Sequence, residues 1–238
     1  MGVRIKTGRS VHFDPENVQL FINALLNLQK SRQGARVLDL GCGTGLWGLL
    51  ASKILNPSIL VMVDNDPCSV ELARNNAASN EIVCETYCGD LYQAIPADIP
   101  PFDVVLCNPP QTGGPLRLKE ERPDKYGGED GADFFDLLAR DSGGWIADGG
   151  CIIFSQHGLA HPKRVLDSFH SRGYSLRIIA EQERVFERDA VNAACEGLWE
   201  YQLKAEKEGR AELELSGERC FTSWQRVYLA SRDGFASN

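Results

Sequence analysis

The chain has 238 residues, 43% apolar and 24% charged, a balance that suits one large α/β domain and excludes a small fold dependent on disulfides or metal. Its formal net charge of −8 argues against a protein held on nucleic acid by phosphate contacts alone and disfavours a nucleic-acid partner, without excluding a nucleic-acid substrate. No apolar run has the length of a bilayer span, and the basic residues of Met1–Phe13 precede no apolar signal segment; the expectation is a cytoplasmic protein with no membrane partner.

In chain order, a helical pattern over Pro15–Gln29 precedes any strand, within an N-terminal helical segment of residues 1–34. From residue 35 short apolar runs alternate with helical patterns. Arg36–Leu40 reads as a strand and Leu46–Leu55 as a helix. Ile59–Asp64 is a second strand, and Pro67–Ala78 a helix with proline at its start. Ile82–Tyr87 and Phe102–Cys107 are strands three and four, and Ala132–Arg140 is helical. Cys151–Ser155 is strand five, Pro162–Ser171 a helix ended by Gly173, Ser175–Glu181 strand six and Arg226–Ala230 the last strand. Seven strands separated by helices imply right-handed crossovers, a mainly parallel sheet and helices on both faces. Between strands six and seven lies a helical insertion at about 187–224. There Val191, Ala194, Leu198, Tyr201 and Ala205 mark one helix face. That face suits packing on the chain's own sheet; the sharper reading of the 190–208 helix is a substrate lid or a homodimer contact. The eight cysteines contain no C-x-x-C pair and read as reduced thiols. His157 and His161, four apart, would share a helix face, but Gly158 and Pro162 favour a loop, and no metal is expected.

The densest motif is Asp39-Leu-Gly41-Cys42-Gly43-Thr-Gly45, at the carboxyl end of the first strand. Alternate glycines let the backbone turn tightly and approach a ligand beside the free N–H groups of the next helix. A dinucleotide site expects a different glycine spacing and a pyrophosphate, which Asp39 would repel. The acidic residue suits a ligand with a positive centre or an ammonium group, and S-adenosylmethionine has both. The second strand ends in Asp64-Asn65-Asp66, where a carboxylate can accept ribose hydroxyls. Strand three is followed by Gly89-Asp90-Leu91, where Asp90 and its neighbouring N–H suit an adenine amino edge and Leu91 a ring face. Each aspartate alone would pass as a helix cap or turn residue. Together they lie on the carboxyl edge of one sheet, where open α/β folds bind ligands. This stretch resembles class I S-adenosylmethionine-dependent methyltransferases from about Arg36 to Ser155. The resemblance implies a Rossmann-like seven-stranded sheet with an antiparallel last strand.

Strand four ends in Asn108-Pro109-Pro110-Gln111. Two prolines remove two backbone donors and stiffen the turn. The Asn108 side-chain oxygen and the Pro109 carbonyl could hold both hydrogens of a planar –NH2 group, aiming its nitrogen at the sulfonium methyl. This motif resembles amino-methyltransferases acting on glutamine amides and on exocyclic amines of bases. Gly127-Gly128-Glu129-Asp130-Gly131 with Asp133-Phe134-Phe135 is similar to the HemK-type release-factor glutamine methyltransferases, where Arg9–Pro15 would match a loop closing over the cofactor. The resemblance implies an amide acceptor, with a glutamine in a protein loop as one form; Phe13, Tyr126 and His157 are candidate acceptor-pocket residues. Two departures stand out. Gln111 replaces the ring expected after Asn-Pro-Pro, and too few residues precede the first strand for the helical domain of the bacterial enzymes. A small-molecule acceptor, chemistry that consumes S-adenosylmethionine without moving the methyl, and a non-catalytic cofactor-binding subunit stay open at this point.

Overall fold

The computed structural model describes residues 2–7 and 15–232. Phe13 and most of the Arg9–Pro15 segment lie outside them.

Helix α1 (Pro15–Leu28) leads into β1 (Arg36–Leu40), α2 (Leu46–Leu55), β2 (Ile59–Asp64) and α3 (Pro67–Ser79). Then come β3 (Glu85–Cys88), a short 3-10 helix (Leu91–Ala94), β4 (Phe102–Cys107), α4 (Leu116–Glu121) and α5 (Asp133–Arg140). The chain continues through β5 (Ile146–His157), α6 (Pro162–His170), β6 (Ser175–Glu187), α7 (Arg188–Ala194), α8 (Leu198–Lys207), β7 (Glu214–Leu215) and β8 (Cys220–Ser231). The sheet runs β3-β2-β1-β4-β5-β8-β6, with β7 paired to β8. The pairings among β3, β2, β1, β4 and β5 are parallel, and β8 is antiparallel to both β5 and β6. The seven-stranded plan is therefore present, with β7 added beside its antiparallel last strand.

Alternation along the central strands builds two cores. Val37, Met62, Val104, Leu106, Ile153, Val227 and Leu229 face α1 and α2. Leu38, Val63, Val105, Ile152 and Phe154 face α5 and α6 on the opposite side. Covered on both faces, β1, β2 and β4 are apolar almost throughout, as parallel strands must be. Helix α1 belongs to the first core: its Phe21 and Leu25 are fully buried, and the Phe21 and Trp47 rings stand 4.2 Å apart.

The strongest departure from the sequence reading is the length of the last strands. β5 reaches His157, β6 reaches Glu187 and β8 starts at Cys220, so the insertion narrows to 188–219. β6 and β8 pair from Ser175↔Ser231 to Glu187↔Cys220, well past the end of β1. The expected single helix over 190–208 is two helices. Gly197, at φ 80°, takes a left-handed turn before α8 that a side chain would strain, and Cys195 is extended. The expected face is nonetheless used within the chain: Trp199 and Ala205 pack with Phe221 and Leu159, while Leu198 and Cys195 pack on Leu118 beside Tyr126. No helix among the described residues is long and apolar enough to cross a membrane.

Candidate active site

At the carboxyl edge of the sheet the loops part around a cleft of about 890 Å³. One end lies over β1, β2 and β3. Gly41, Gly43 and Gly45 all have positive φ, at 71°, 52° and 77°. A side-chain atom built on Gly41 would meet nothing nearer than Phe134 at 3.8 Å, so a ligand can approach the backbone there. Gly41, Cys42 and Gly43 line the cleft. Gly45 does not; it starts α2, packed against Met62 and Ala73.

Asp64, Asn65, Asp90 and Leu91 also line this end. Asp64 braces the glycine loop: one oxygen accepts from the Gly43 N–H at 2.8 Å and the other from the Asp66 N–H at 3.0 Å. Asp66 caps α3, accepting from the Cys68 and Ser69 N–H groups and the Ser69 hydroxyl, and that hydroxyl bond first of all lowers its pKa. The Asp90 side chain makes no cap bond. Leu91 adopts φ 48°, an uncommon conformation for a branched residue, at the cleft wall. Two carboxylates at successive strand ends, an open glycine turn and apolar walls from Leu91 and Phe134 fit the hydroxyls, cation and flat base of an adenosyl sulfonium compound.

Asp39 is placed differently from the sequence reading. It lies beneath the loop, fully buried and out of the cleft, where Oδ2 accepts from the Gly48 N–H at 2.7 Å. Oδ1 has no partner among the described residues, and burial pushes the carboxyl pKa up to about 8. Its position pins α2 to β1.

The other end of the cleft lies over β4, β5 and β8. On the α1-facing side of these strands the apolar rows turn polar as they reach the edge. Leu106 is followed by Asn108, Ile153 by Ser155 and His157, and Val227 is preceded by Gln225. Pairing of Cys107 with Phe154 sets Asn108 beside Ser155. The Ser155 hydroxyl donates to Asn108 Oδ1 at 2.9 Å, and Gln225 Nε2 donates to that hydroxyl at 2.8 Å. Asn17 of α1, a cleft residue, donates its amide to the same Asn108 oxygen at 3.4 Å.

Asn108, Pro109, Pro110 and Gln111 all line the cleft. Gln111 does not stand as a stacking surface. Its amide buckles the loop to β5: Nε2 donates to the Ser155 carbonyl at 3.1 Å, and Oε1 accepts from the His157 N–H at 2.7 Å. Nε2 also lies 3.4 Å from the Pro109 carbonyl. His157 lines the cleft; its Nδ1 has no partner among the described residues, and burial, reinforced by the Arg184 charge, pushes its pKa down to about 3. The imidazole is therefore neutral at ordinary pH. His161 caps α6 through Nδ1 and does not join it in the cleft.

Tyr126 is the second displaced candidate. It packs against Leu118, Cys195 and Leu198, away from the cleft, because the loop folds back on itself. Thr112 and Tyr126 form a bridge, and the Thr112 N–H donates to the Lys125 carbonyl at 2.8 Å. Gly113, Gly127 and Gly131 allow backbones to meet where any side chain would collide at under 3 Å. The insertion holds this loop from above: Gln202 donates to the Gly113 carbonyl and Tyr201 to the Glu129 carbonyl. Sequence reasoning missed Asn17, Ser155 and Gln225, which only the strand register and the seating of α1 bring to Asn108. Phe134, within the Asp133-Phe134-Phe135 motif, forms a cleft wall while Phe135 enters the core. Trp47 is both buried and a cleft residue.

Comparison with known proteins sets the chain beside methyltransferases. A model of the methyltransferase small domain matches residues 15–117. A Methanocaldococcus jannaschii protein whose name gives it provisionally as a protein N5-glutamine methyltransferase is 27% identical over 192 residues, covering 78% of this chain and 92% of that protein. The release factor glutamine methyltransferase of Chlamydia trachomatis serovar L2 is 25% identical over 211 residues, covering 83% and 71%. The crystal structure of a methyltransferase from Pyrococcus furiosus superposes with a TM-score of 0.55 at 16% identity, over 94% of this chain and 88% of that one, and shares the fold.

Proposed function

We infer that this chain, an S-adenosylmethionine-dependent methyltransferase, moves the methyl group onto the nitrogen of a planar amide, and that a glutamine side chain in a protein loop is its acceptor. The observation that carries this reading is at the ends of β4 and β5. Two oxygens, Asn108 Oδ1 and the Pro109 carbonyl, face primary amides of the chain itself, Asn17 and Gln111, each at 3.4 Å. Such long contacts are readily replaced by the –NH2 group of an incoming amide at a normal hydrogen-bond distance.

When bound, S-adenosylmethionine supplies a methyl group on a cationic sulfur. Asp64 and Asp90 would hold its ribose and base, and the open backbone at Gly41 would admit its amino-acid arm. The chain's own work is positioning. Asn108 and Pro109 hold both amide hydrogens and turn the nitrogen toward the methyl, and their dipoles stabilise charge growing on that nitrogen. Prolines at 109 and 110 keep the turn stiff, so no reorganisation is needed at transfer. Transfer would join the methyl carbon to that nitrogen as its bond to sulfur breaks, and the nitrogen would then lose one proton. His157, held near a pKa of about 3, serves as a hydrogen-bond acceptor and is too weak a base to store that proton, which leaves to water.

Incubation with S-adenosylmethionine and a cyclic peptide bearing a glutamine at its turn is expected to give S-adenosylhomocysteine and an N-methylated amide by mass spectrometry. Methylthioadenosine as the product, or methyl on a non-amide acceptor alone, would overturn the reading. Asn108→Ala is expected to leave cofactor affinity within a few fold by calorimetry and to lower turnover by about 100-fold or more. Turnover surviving that change would remove Asn108 from the reaction.

A further inference from the structure

We propose that Ser155 and Gln225 are positioning residues for this reaction: the chain Gln225 Nε2–Ser155 Oγ–Asn108 Oδ1 decides which way round the Asn108 amide sits. The proposal rests on the amide-transfer reading above for its catalytic consequence, and on the structure alone for its geometry.

The argument is a count of protons. The Ser155 hydroxyl has one proton to give. In the structure Gln225 turns its Nε2 toward Ser155, and with that amide so placed the nitrogen can only donate, so Ser155 Oγ accepts there, at 2.8 Å. Its own proton then goes to Asn108 Oδ1, at 2.9 Å. Ser155 is fully buried and Gln225 2% exposed, so each depends on protein partners for its hydrogen bonds. If the Asn108 amide turned over, its Nδ2 would point at a hydroxyl already accepting from Gln225. The Ser155 proton would be stranded, and the Asn17 amide would face another N–H donor. A stranded buried donor costs enough to favour the observed orientation by roughly 10- to 100-fold. The consequence is that the oxygen of Asn108, and not its nitrogen, meets the hydrogens of an incoming –NH2.

Strand register makes this possible. Ser155 and His157 lie on one face of β5, two residues apart, and Gln225 of β8 is opposite His157, hence diagonal to Ser155. The Gln111 amide locks the same stretch of β5 from the other side through the Ser155 carbonyl and the His157 N–H. A one-residue slip of β8 would turn Gln225 to the opposite face and disconnect Asn108.

The decisive variant is Gln225→Glu in the full chain. An ionised carboxylate of the same shape can only accept, so the Ser155 proton turns to it and the Asn108 amide reverses to donate to Ser155 Oγ. With the glutamine-bearing cyclic peptide, kcat is expected to fall about 100-fold at pH 8 while the calorimetric affinity for S-adenosylhomocysteine stays within threefold. Activity should return as pH falls, because the buried carboxyl takes a proton above its ordinary range and can donate again. Ser155→Ala is expected to lose turnover without losing cofactor affinity, and Ser155→Thr, which keeps the hydroxyl, to restore most of it. Side-chain amide NMR of the unaltered protein tests the geometry with no acceptor present. The Asn108 NH2 should show no contact to the Ser155 β-protons, and should gain one in Gln225→Glu. Contact already present in the unaltered protein, or a folded Gln225→Glu protein with unchanged kcat and pH profile, would overturn the proposal. Failure of the peptide to accept methyl from the unaltered protein, with the NMR result as expected, would count against the acceptor assignment and leave the relay standing.

Discussion

His157 and Asn108 stand two residue pairs apart on neighbouring strands, and burial gives them opposite tasks. Asn108 is neutral and keeps a carbonyl at the cleft; His157 is ionisable and is kept neutral, its pKa near 3 against an ordinary 6.5. The sign of the linkage follows: an unfolded chain takes up the proton first, so this residue's contribution to stability is full above pH 6.5 and is lost as pH falls toward 3. His157→Gln should flatten that loss. Urea midpoints measured at pH 7 and pH 4.5 are expected to differ less in the variant than in the parent, and an equal difference would contradict the burial argument. Of this chemistry the residue types were visible along the chain, because Asn-Pro-Pro-Gln is one contiguous stretch. Ser155 and Gln225 were not, since a serine and a glutamine in apolar strands carry no motif and gain their meaning only from cross-strand neighbours.

At the scale of elements, α7 and α8 are the part of the molecule whose purpose the fold changes most. A 3.6-residue apolar period through Val191, Ala194, Leu198, Tyr201 and Ala205 is present in the chain, and it runs through the break at Gly197 because both helices turn the same side inward. What they cover is the extended β6–β8 ladder and the loop after Gln111. Trp199 is the anchor: 2% exposed, its ring lies 4.7 Å from that of Phe221. Trp199→Ala should cost about 3–5 kcal/mol by the usual penalty for emptying a buried aromatic site. Chemical denaturation should show an early transition or a lowered midpoint. Calorimetry should still detect S-adenosylhomocysteine, because the glycine loop lies at the other end of the cleft. Loss of cofactor binding in a protein with an intact sheet would mean that the insertion supports the whole cleft and not only its acceptor end.

For the molecule as a whole, ligand binding and folding are expected to be coupled, since Asp64 is at once a cleft wall and the brace of the glycine loop through Gly43. Any ligand that binds only the folded chain stabilises it by mass action. S-adenosylmethionine at 100 times its Kd should add about 2.7 kcal/mol and raise Tm by about 5 °C or more for a chain of this size. Asp64→Ala should abolish most of that shift while lowering the Tm of the free protein as well. A full shift in the variant would show that the ribose is held elsewhere.

Local chemistry in the chain was enough to read a mainly parallel sheet, the alternation of its main strands and helices, and the two motifs on its carboxyl edge. Apolar periodicity, alternate glycines and paired prolines act over a few residues and are readable without knowing their neighbours. Tertiary structure alone decided the rest. It buried Asp39 beneath the loop it was expected to serve and turned Tyr126 into the insertion's core. It made Gln111 a clasp on β5, and it joined Asn17, Ser155 and Gln225 to one oxygen of Asn108. These outcomes depend on register and packing between segments up to two hundred residues apart, where one position's shift moves a side chain to the other face of the sheet.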